Sequence, residues 1–286
     1  MLNNSKIRAG IIGGAGYTGG ELLRLLLHHP AVEIAFVQSR SQAGKAVTTV
    51  HTDLLGETDL HFSAEMDEAE VWFLCLGHGE ARQWLEAQPL DRSVKIIDLS
   101  QDFRLGGSWG ERTFVYGLPE INRAQIQAAE LIANPGCFAT GIQLALLPLA
   151  TAGLLKEVFI TGITGATGGG QSLAPTAHFP WRHANVSAYK TLIHQHLAEV
   201  SQTLTLPAND IHFVPWRGDF ARGIYLSATT RCDLTQTAVL DLYRQYYESH
   251  PFTVVSDQMG DLKMAVNTNK CLLFPEKQGQ MLVVHA

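Results

Sequence analysis

The sequence lacks several features that would assign it to common classes of protein. Its four cysteines are widely spaced and include no CxxC pair, which in a chain this long is typical of reduced cytoplasmic thiols and not of a disulfide framework. Its apolar runs are shorter than a membrane span. The N-terminus "MLNNSKIRAGIIGGAG" has no basic segment followed by an apolar stretch and a cleavage site. We therefore expect a cytoplasmic protein without a membrane segment or signal peptide.

An excess of positive charge is also missing. The chain has 27 acidic and 21 basic residues, which gives a formal net charge of -6, so electrostatics offer no argument for a nucleic-acid partner. Of the 286 residues, 46% are hydrophobic and 17% are charged. This composition supports a packed core and excludes a largely disordered chain, and the length indicates two domains or one large one.

Strand and helix signals alternate over the first 100 residues. The apolar runs "IRAGIIGG", "VEIAFVQS", "EVWFLCLG" and "VKIIDLS" predict buried strands. Between the first two, "TGGELLRLLLHH" carries apolar residues at helical spacing and stops at Pro30. This alternation predicts an α/β fold with a doubly wound parallel sheet.

From Cys137 onward the pattern changes. "CFATGIQLALLPLATAGLL" predicts a buried helix kinked at Pro148, and "TQTAVLDLYRQYYESH" predicts an amphipathic helix capped by Thr235. We expect the strands "IHFVPW" and "ARGIYLSATTRC" to be antiparallel neighbours, and "CLLFPEKQGQMLVVHA" to form a hairpin that turns at residues 277–279. We predict a nucleotide-binding domain over residues 1–136 and an α+β domain with a mixed, largely antiparallel sheet over residues 137–286.

A glycine motif lies where the first strand meets the first helix. Gly14, Gly16 and Gly19 fit GxGxxG, a spacing that gains meaning from this strand–helix context. Glycines let the backbone turn tightly and approach a pyrophosphate, and a helix N-terminus offers N–H groups to the anion. The motif predicts a dinucleotide site that includes Tyr17 and Thr18; the alternative is a tight turn without a ligand.

The residues after the second strand indicate which dinucleotide is bound. NAD specificity usually needs a carboxylate there to hold the ribose 2′-OH, but "FVQSRSQAGK" has none and supplies Ser39, Arg40 and Ser41 instead. A guanidinium can bind a 2′-phosphate in bidentate fashion. We therefore predict NADP(H) in preference to NAD(H); the alternative is that Arg40 is a solvated surface residue.

Cys137 is the candidate nucleophile. It follows Pro135-Gly136 and opens a predicted helix, where free N–H groups and the helix dipole stabilise a thiolate. The alternative is a buried structural cysteine, the role that we expect for the other three cysteines.

A cysteine nucleophile needs a base, and "AYKTLIHQHLAEV" offers His194 and His196. The alternatives are two helix-surface histidines, or metal ligands acting with His178 and His183. A strong metal site would need a third ligand at diagnostic spacing, so we expect no metal. "PWRGDF" and "ARGI" supply two arginines that could bind a carboxylate or phosphate, or could form surface ion pairs.

Several segments together resemble one family, the N-acetyl-gamma-glutamyl-phosphate reductases of arginine biosynthesis. They are "GIIGGAGYTGGELLRLL", "KIIDLSQDFRL", "VYGLPEINR", "LIANPGCFAT", "HQHLAEV" and "ARGI", spread from about residue 7 to residue 271. The resemblance implies the fold of the aspartate-semialdehyde dehydrogenase superfamily, a Rossmann domain followed by an α+β catalytic and oligomerisation domain. It also implies a homodimer or homotetramer.

The resemblance also implies roles for individual residues. Cys137 matches the family's nucleophile and His194 its acid/base, while Gly13, Gly16 and Gly19 match the loop that binds NADP(H). We also expect Asn269 to contact the cofactor. The expected substrate-binding residues are Asn134, Tyr189, His196, Arg217 and Arg222.

The implied reaction is NADPH-dependent reductive dephosphorylation of N-acetyl-gamma-glutamyl phosphate to the semialdehyde, through a thioester on Cys137 and with release of inorganic phosphate. Gln195 stands where the family usually has Arg, Ala198 where it has Pro, and the loop "GGGQSLAPTAHFPWRHANVSAYK" differs from common members. An N-succinylglutamyl or aminoadipyl phosphate therefore remains an alternative substrate, and an NADPH-sensing protein without turnover an alternative function. Relatives continue beyond "MLVVHA" into a closing helix with a "KGAxGQA"-like segment, so the resemblance implies a longer chain.

Overall fold

The computed structural model describes residues 6–89 and 94–286. The chain divides into two compact units, Met1–Pro135 and Gly136–Ala286. Each unit contains one seven-stranded sheet.

The first unit contains nine strands and three helices among its described residues. They are β1 Ile7–Ile12, α1 Tyr17–Leu27, β2 Val32–Gln38, β3 Phe62–Ser63, β4 Val71–Leu74, α2 Glu80–Glu86, β5 Lys95–Asp98, β6 Ser108–Trp109, β7 Arg112–Thr113, β8 Val115–Tyr116, α3 Pro119–Ala128 and β9 Leu131–Ala133. Strands β6 and β7 form a separate antiparallel ribbon. The others form a parallel sheet in the order β3-β2-β1-β4-β5-β9-β8.

Apolar residues cover both faces of this parallel sheet. Neighbouring residues of β1 point to opposite sides: Ile11 packs in a cluster with Leu23 of α1, and Ile12 packs in a second cluster with Leu85 of α2. Helices therefore lie on both faces, and the predicted doubly wound parallel sheet is confirmed.

The second unit contains a mixed sheet in the order β11-β12-β10-β13-β16-β15-β14. Pairs β10–β12 and β14–β15 are parallel and the other four are antiparallel, so the predicted mixed, largely antiparallel sheet is also confirmed. The elements are α4 Cys137–Thr151, β10 Val158–Thr164, α5 Phe179–Arg182, β11 Ser187–Ala188, α6 His196–Leu204, β12 Ile211–Arg217, β13 Ile224–Arg231, α7 Gln236–Tyr247, β14 Thr253–Val255, β15 Cys271–Gln278 and β16 Met281–His285.

Two local expectations are wrong. β12 and β13 run in opposite directions but are not neighbours, because β10 lies between them and bonds to both. The six residues 218–223 are long enough to span the roughly 10 Å of two strand spacings, and the amide of Gly165, just after β10, donates to the Gly223 carbonyl within that loop. The last hairpin turns at residues 279–280 instead of 277–279, because Gln278 still pairs with Met281.

Helix α4 is buried along most of its length and contains Pro148. A proline has no N–H, so the carbonyl of Leu144 loses its helical donor. The hydroxyl of Tyr247 donates to that carbonyl at 2.5 Å, and the hydroxyl of Tyr243 donates to the next carbonyl, that of Ala145, at 2.6 Å. Both tyrosines lie on α7, whose predicted cap is confirmed because Thr235 accepts from the amide of Ala238. The long helix that begins at Cys137 is thus fixed at its middle.

None of the helices within residues 6–89 and 94–286 combines the length and apolar character that crossing a bilayer would require.

Candidate functional site

The glycine motif forms a tight loop between β1 and α1. The amides of Gly13 and Gly14 both donate to the carbonyl of Gln38, at 3.1 and 3.0 Å, which ties the loop to the end of β2. Gly13 has φ +79°, a conformation that favours glycine. A Cβ at Gly19 would lie 2.6 Å from the Gly14 carbonyl oxygen, so this glycine lets the start of α1 pack directly on the loop.

The loop fits a dinucleotide pyrophosphate. Gly16 is the N-cap of α1, and a Cβ added there would meet only the Gly13 carbonyl oxygen, at 3.6 Å, among the atoms of the described residues. The surface at Gly16 is therefore bare backbone at a helix N-terminus, where a phosphate can approach closely. Tyr17 and Thr18, both exposed, follow directly.

The segment after β2 is a short turn that carries the predicted phosphate-binding residues. Ser39 is buried, with its Oγ 3.5 Å from the Oγ of Ser41. Arg40, between them, is exposed. Gln38 directly precedes this turn, and its carbonyl also holds the amides of the glycine loop. The two segments predicted to bind the cofactor are therefore adjacent in the structure.

Cys137 opens α4 and is exposed, so the interpretation of a buried structural cysteine is wrong. Its helix is capped by Gly136, whose amide donates to Oε2 of the buried Glu199 at 2.9 Å. The thiol lies at a helix N-terminus, where N–H groups and the dipole favour a thiolate.

His196 packs against the turn before Cys137. A Cβ at Gly136 would lie 2.4–2.7 Å from three atoms of the His196 ring. Gly136 has φ -67° and ψ 148°, values that any residue adopts. The glycine is therefore required for the approach of the histidine ring and not for the turn itself.

His194 is 4% exposed, so the helix-surface interpretation of this histidine pair is wrong. Its Nδ1 accepts a hydrogen bond from the amide of His196 at 3.2 Å, which places the proton of the neutral ring on Nε2. Burial lowers the pKa of His194 to about 4, with further lowering by the positive charges of Lys190 and Arg217. His194 is therefore a neutral hydrogen-bond donor through Nε2 near pH 7.

Tyr189 and Arg217 belong to the same group of side chains. We call this group the thiol cluster; it consists of Cys137, Tyr189, His194, His196 and Arg217. Burial raises the pKa of Tyr189, and Cys137 adds to the increase while Arg217 opposes it. The guanidinium of Arg217 lies 4.7 Å from the centre of the Tyr189 ring. Among the described residues its buried Nε has no hydrogen-bond partner. A cation with an unused donor beside Tyr189 is suited to bind a carboxylate or phosphate.

Three residues that the sequence analysis did not assign support this cluster. Arg182 is 6% exposed and donates to the carbonyls of Thr176 and Arg217. Lys190 donates to the side chain of Gln195 at 2.7 Å, and Glu199 holds the Gly136 amide. Only Glu199 follows the histidines at a helical spacing that the sequence reveals. Arg182 ends the four-residue helix α5 and Lys190 lies in a loop, and neither segment carries a periodic signal.

Three predicted residues lie in or beside loops. Arg222 is exposed in the loop 218–223, and Asn269 is exposed in the loop that precedes β15. Asn134 follows β9 in the first unit, where its amide donates to the Asp98 carbonyl. In the described part of the chain, no group of three His, Cys, Asp or Glu side chains is arranged to hold a metal ion.

The segment "DLSQDFR" connects neighbouring loops of the first unit through hydrogen bonds. The carboxylate of Asp102 accepts from the amides of Gly79 and Arg82, at 2.6 and 3.0 Å, at the start of α2. Arg104 donates to the carbonyls of Leu99 and Asn134. These residues fix the loops that follow β5 and β9.

The fold and the thiol cluster define a class, the two-domain semialdehyde dehydrogenases. The profile "Semialdehyde dehydrogenase, NAD binding domain" matches residues 8–129, and "Semialdehyde dehydrogenase, dimerisation domain" matches residues 137–286. Aspartate semialdehyde dehydrogenase II from Vibrio cholerae superposes with a TM-score of 0.74 at 16% identity, covering 99% of this chain and 93% of that one. The enzyme from Candida albicans, solved with NADP, gives 0.66 at 14% identity with the same coverage; both show likeness of fold.

Curated relatives narrow the class to a family. N-acetyl-gamma-glutamyl-phosphate reductases from Christiangramia forsetii, Parabacteroides distasonis and Bacteroides thetaiotaomicron are 48%, 47% and 46% identical to this chain. Each match covers 97% of this chain and 88% of the relative. The chain belongs to the N-acetyl-gamma-glutamyl-phosphate reductase family. The resemblance found in the sequence is confirmed, and the protein is an oxidoreductase that uses a nicotinamide cofactor.

Proposed function

We propose that the protein reduces N-acetyl-gamma-glutamyl phosphate to N-acetylglutamate semialdehyde with NADPH, as a cytoplasmic step of arginine biosynthesis. The observation that carries this proposal is the exposed Cys137 at the start of α4, with the buried His194 and the cation of Arg217 in the same cluster. The names of the relatives supply the substrate class, and four cysteines outside any disulfide suit a reducing compartment.

The first half-reaction forms a thioester. The thiolate of Cys137 attacks the carbonyl carbon of the acyl phosphate, the C–S bond forms, and the C–O bond to phosphate breaks with release of inorganic phosphate. We assign Arg217 to an anionic group of the substrate, because its guanidinium has an unused buried donor. The raised pKa of Tyr189 keeps its hydroxyl protonated as a second donor.

The second half-reaction reduces the thioester. When bound, the reduced nicotinamide supplies a hydride to the carbonyl carbon. The oxygen then becomes negative, and Nε2–H of His194 donates to it. As the C–S bond breaks, the proton shared with the oxygen returns to His194, the aldehyde leaves, and Cys137 is again a thiolate.

The decisive experiment is the reverse assay, in which N-acetylglutamate semialdehyde, NADP⁺ and phosphate are mixed and NADPH absorbance is followed. We expect phosphate-dependent NADPH formation that Cys137→Ala abolishes and the matched control Cys271→Ala retains. N-succinyl and aminoadipyl semialdehydes in the same assay would identify a different acyl group. NADPH binding without turnover of any aldehyde would contradict the enzyme assignment and favour the NADPH-sensing alternative.

We propose NADP(H) as the cofactor because the turn after β2 presents Arg40 between two serines and has no carboxylate. Arg40→Ala should raise the KM for NADPH by about tenfold, the loss of one charge-assisted contact, and leave the KM for NADH unchanged. Arg8→Ala, a surface arginine paired with Asp67, is the control. An unchanged KM for NADPH would refute this assignment.

We also propose a homo-oligomer formed through the second unit. Alternate residues of β10 are buried beneath the helices, whereas Phe159 on the opposite side is 53% exposed. The register places Trp216 of β12 and Met281 of β16 on the same open face, and the matching profile is described as a dimerisation domain. A second copy of the chain would cover this face. Light scattering should give at least a dimer, which Phe159→Asp should weaken; a monomeric wild type would contradict the proposal.

A further inference from the structure

His51 is a buried residue of the first unit that lies next to the glycine loop. It is 5% exposed, and its Nε2 lies 2.8 Å from the carbonyl oxygen of Gly14. A carbonyl oxygen only accepts, so Nε2 carries the proton and donates. This contact joins two segments that are 37 residues apart in the chain.

The contact fixes the orientation of one peptide group. A trans peptide is planar, with its C=O and N–H pointing in opposite directions. Holding the Gly14 carbonyl therefore sets the direction of the Gly14–Ala15 peptide in the middle of the loop. On the other side, the Gln38 carbonyl accepts from the amides of Gly13 and Gly14. Without His51 the loop would keep the anchor at Gln38 but lose the one that holds the Gly14 carbonyl.

The neighbouring helix is shaped to admit the imidazole. A Cβ at Gly20 of α1 would lie 2.6 Å from Nδ1 of His51, so the ring occupies the space that a side chain would fill. Two residues beyond His51, Asp53 accepts from Arg24 of α1 at 2.6 and 2.7 Å. The segment that carries His51 is thus attached to α1 at two points.

We propose that His51 is a positioning residue for the nicotinamide cofactor: its hydrogen bond to the Gly14 carbonyl holds the glycine loop in the shape that receives the pyrophosphate. The inference rests on the assignment of this loop as the cofactor site. It extends that site to a buried residue that acts through the loop backbone.

The test compares His51→Leu, which removes the donor, with His51→Gln, whose amide can replace it. Titration of NADPH fluorescence should give a Kd raised by about tenfold for His51→Leu, corresponding to one lost hydrogen bond, and by less than about threefold for His51→Gln. The kcat at saturating NADPH should remain within about twofold, because the thiol cluster is unchanged. His61→Leu, an exposed histidine of the same unit, should bind as wild type.

A second variant probes the same contact from α1. Gly20→Ala raises helix propensity, yet it should displace the ring and weaken NADPH binding, with little further loss when combined with His51→Leu. If His51→Leu does not fold, His51→Asn takes its place, since its side chain is too short to reach Gly14. Wild-type affinity in the variants that lack the hydrogen bond to Gly14 would overturn this inference alone. A wild-type protein that binds no NADPH would overturn the proposed cofactor site together with it.

Discussion

Gly136 offers the sharpest test of how the thiol is positioned. Its backbone angles suit any residue, so Gly136→Ala should meet no strain in φ or ψ. At such a position Ala stabilises a protein by about 0.4–1 kcal/mol, because it restricts the unfolded chain. The structure predicts a loss of stability instead, because the new methyl group would lie 2.4–2.7 Å from three ring atoms of the buried His196.

The size of the effect follows from overpacking, which typically costs about 1–3 kcal/mol when a methyl group is forced into a filled site. Each kcal/mol corresponds to about 2–4 °C in Tm for a unit of this size. Calorimetry should therefore show Gly136→Ala to melt about 2–12 °C below wild type. The reverse assay should show a reduced kcat as well, because the amide that anchors to Glu199 precedes Cys137 directly.

The His196→Ala background provides the control. With the ring removed, Gly136→Ala has room for its methyl group and should be neutral or stabilising by up to about 1 kcal/mol. Equal destabilisation in the presence and absence of the ring would refute the argument that Gly136 is required for the approach of His196. The fall in kcat would then need a different cause.

Three further predictions concern the groups around this site. Tyr247→Phe should lower the free energy of unfolding by about 1–3 kcal/mol, because the Leu144 carbonyl stays buried without a donor; urea denaturation checks this against Tyr246→Phe, which should change little. His194 has its pKa lowered from 6.5 to about 4, so its unfolded form gains a proton before its folded form does. Unfolding free energy should fall as pH drops from 6.5 towards 4, and His194→Asn should flatten that slope; an unchanged slope would contradict the lowered pKa. Arg182→Lys should lower kcat/KM about tenfold, chiefly through KM, because a lysine cannot reproduce the guanidinium that donates to the carbonyls of Thr176 and Arg217 together; Arg244→Lys on the surface is the control, and a change confined to Tm would refute the positioning role.

Local patterns in the sequence predict much of this architecture. Apolar runs separated by one amphipathic helix predict the parallel sheet, because each buried strand must be apolar on both faces. The cap of α7 at Thr235 is also a local property, and so is the helix start at Cys137 that Pro135-Gly136 indicates. In each case the residues that determine the structure lie within a few positions of it.

Strand order and supporting contacts are not local. The insertion of β10 between β12 and β13 depends on pairing with residues about 50 and 70 positions further along the chain. The expectation that β12 and β13 pair because they are consecutive in the sequence is therefore wrong. Arg182 ends the four-residue helix α5, a segment too short to show periodicity, and its supporting role depends on the Arg217 carbonyl, which lies 2.8 Å from its guanidinium. No spacing rule connects Arg182 to a carbonyl 35 residues later.

The same reasoning explains why the position of Cys137, the proposed nucleophile, cannot be understood from its motif alone. The helix that presents Cys137 is held at its start by Glu199 and at its middle by two tyrosines of α7, through contacts that span 63 to 103 residues. The freed carbonyl at Pro148 would be costly in a buried helix without these donors. Pro148 and Tyr247 therefore form a matched pair, and Tyr247→Phe should be less damaging in a Pro148→Ala background, where the helix can supply its own N–H. The position of the Cys137 thiol therefore depends on contacts made far from it in the second unit. Substitutions at those distant contacts should change the rate at which Cys137 reacts with a thiol reagent.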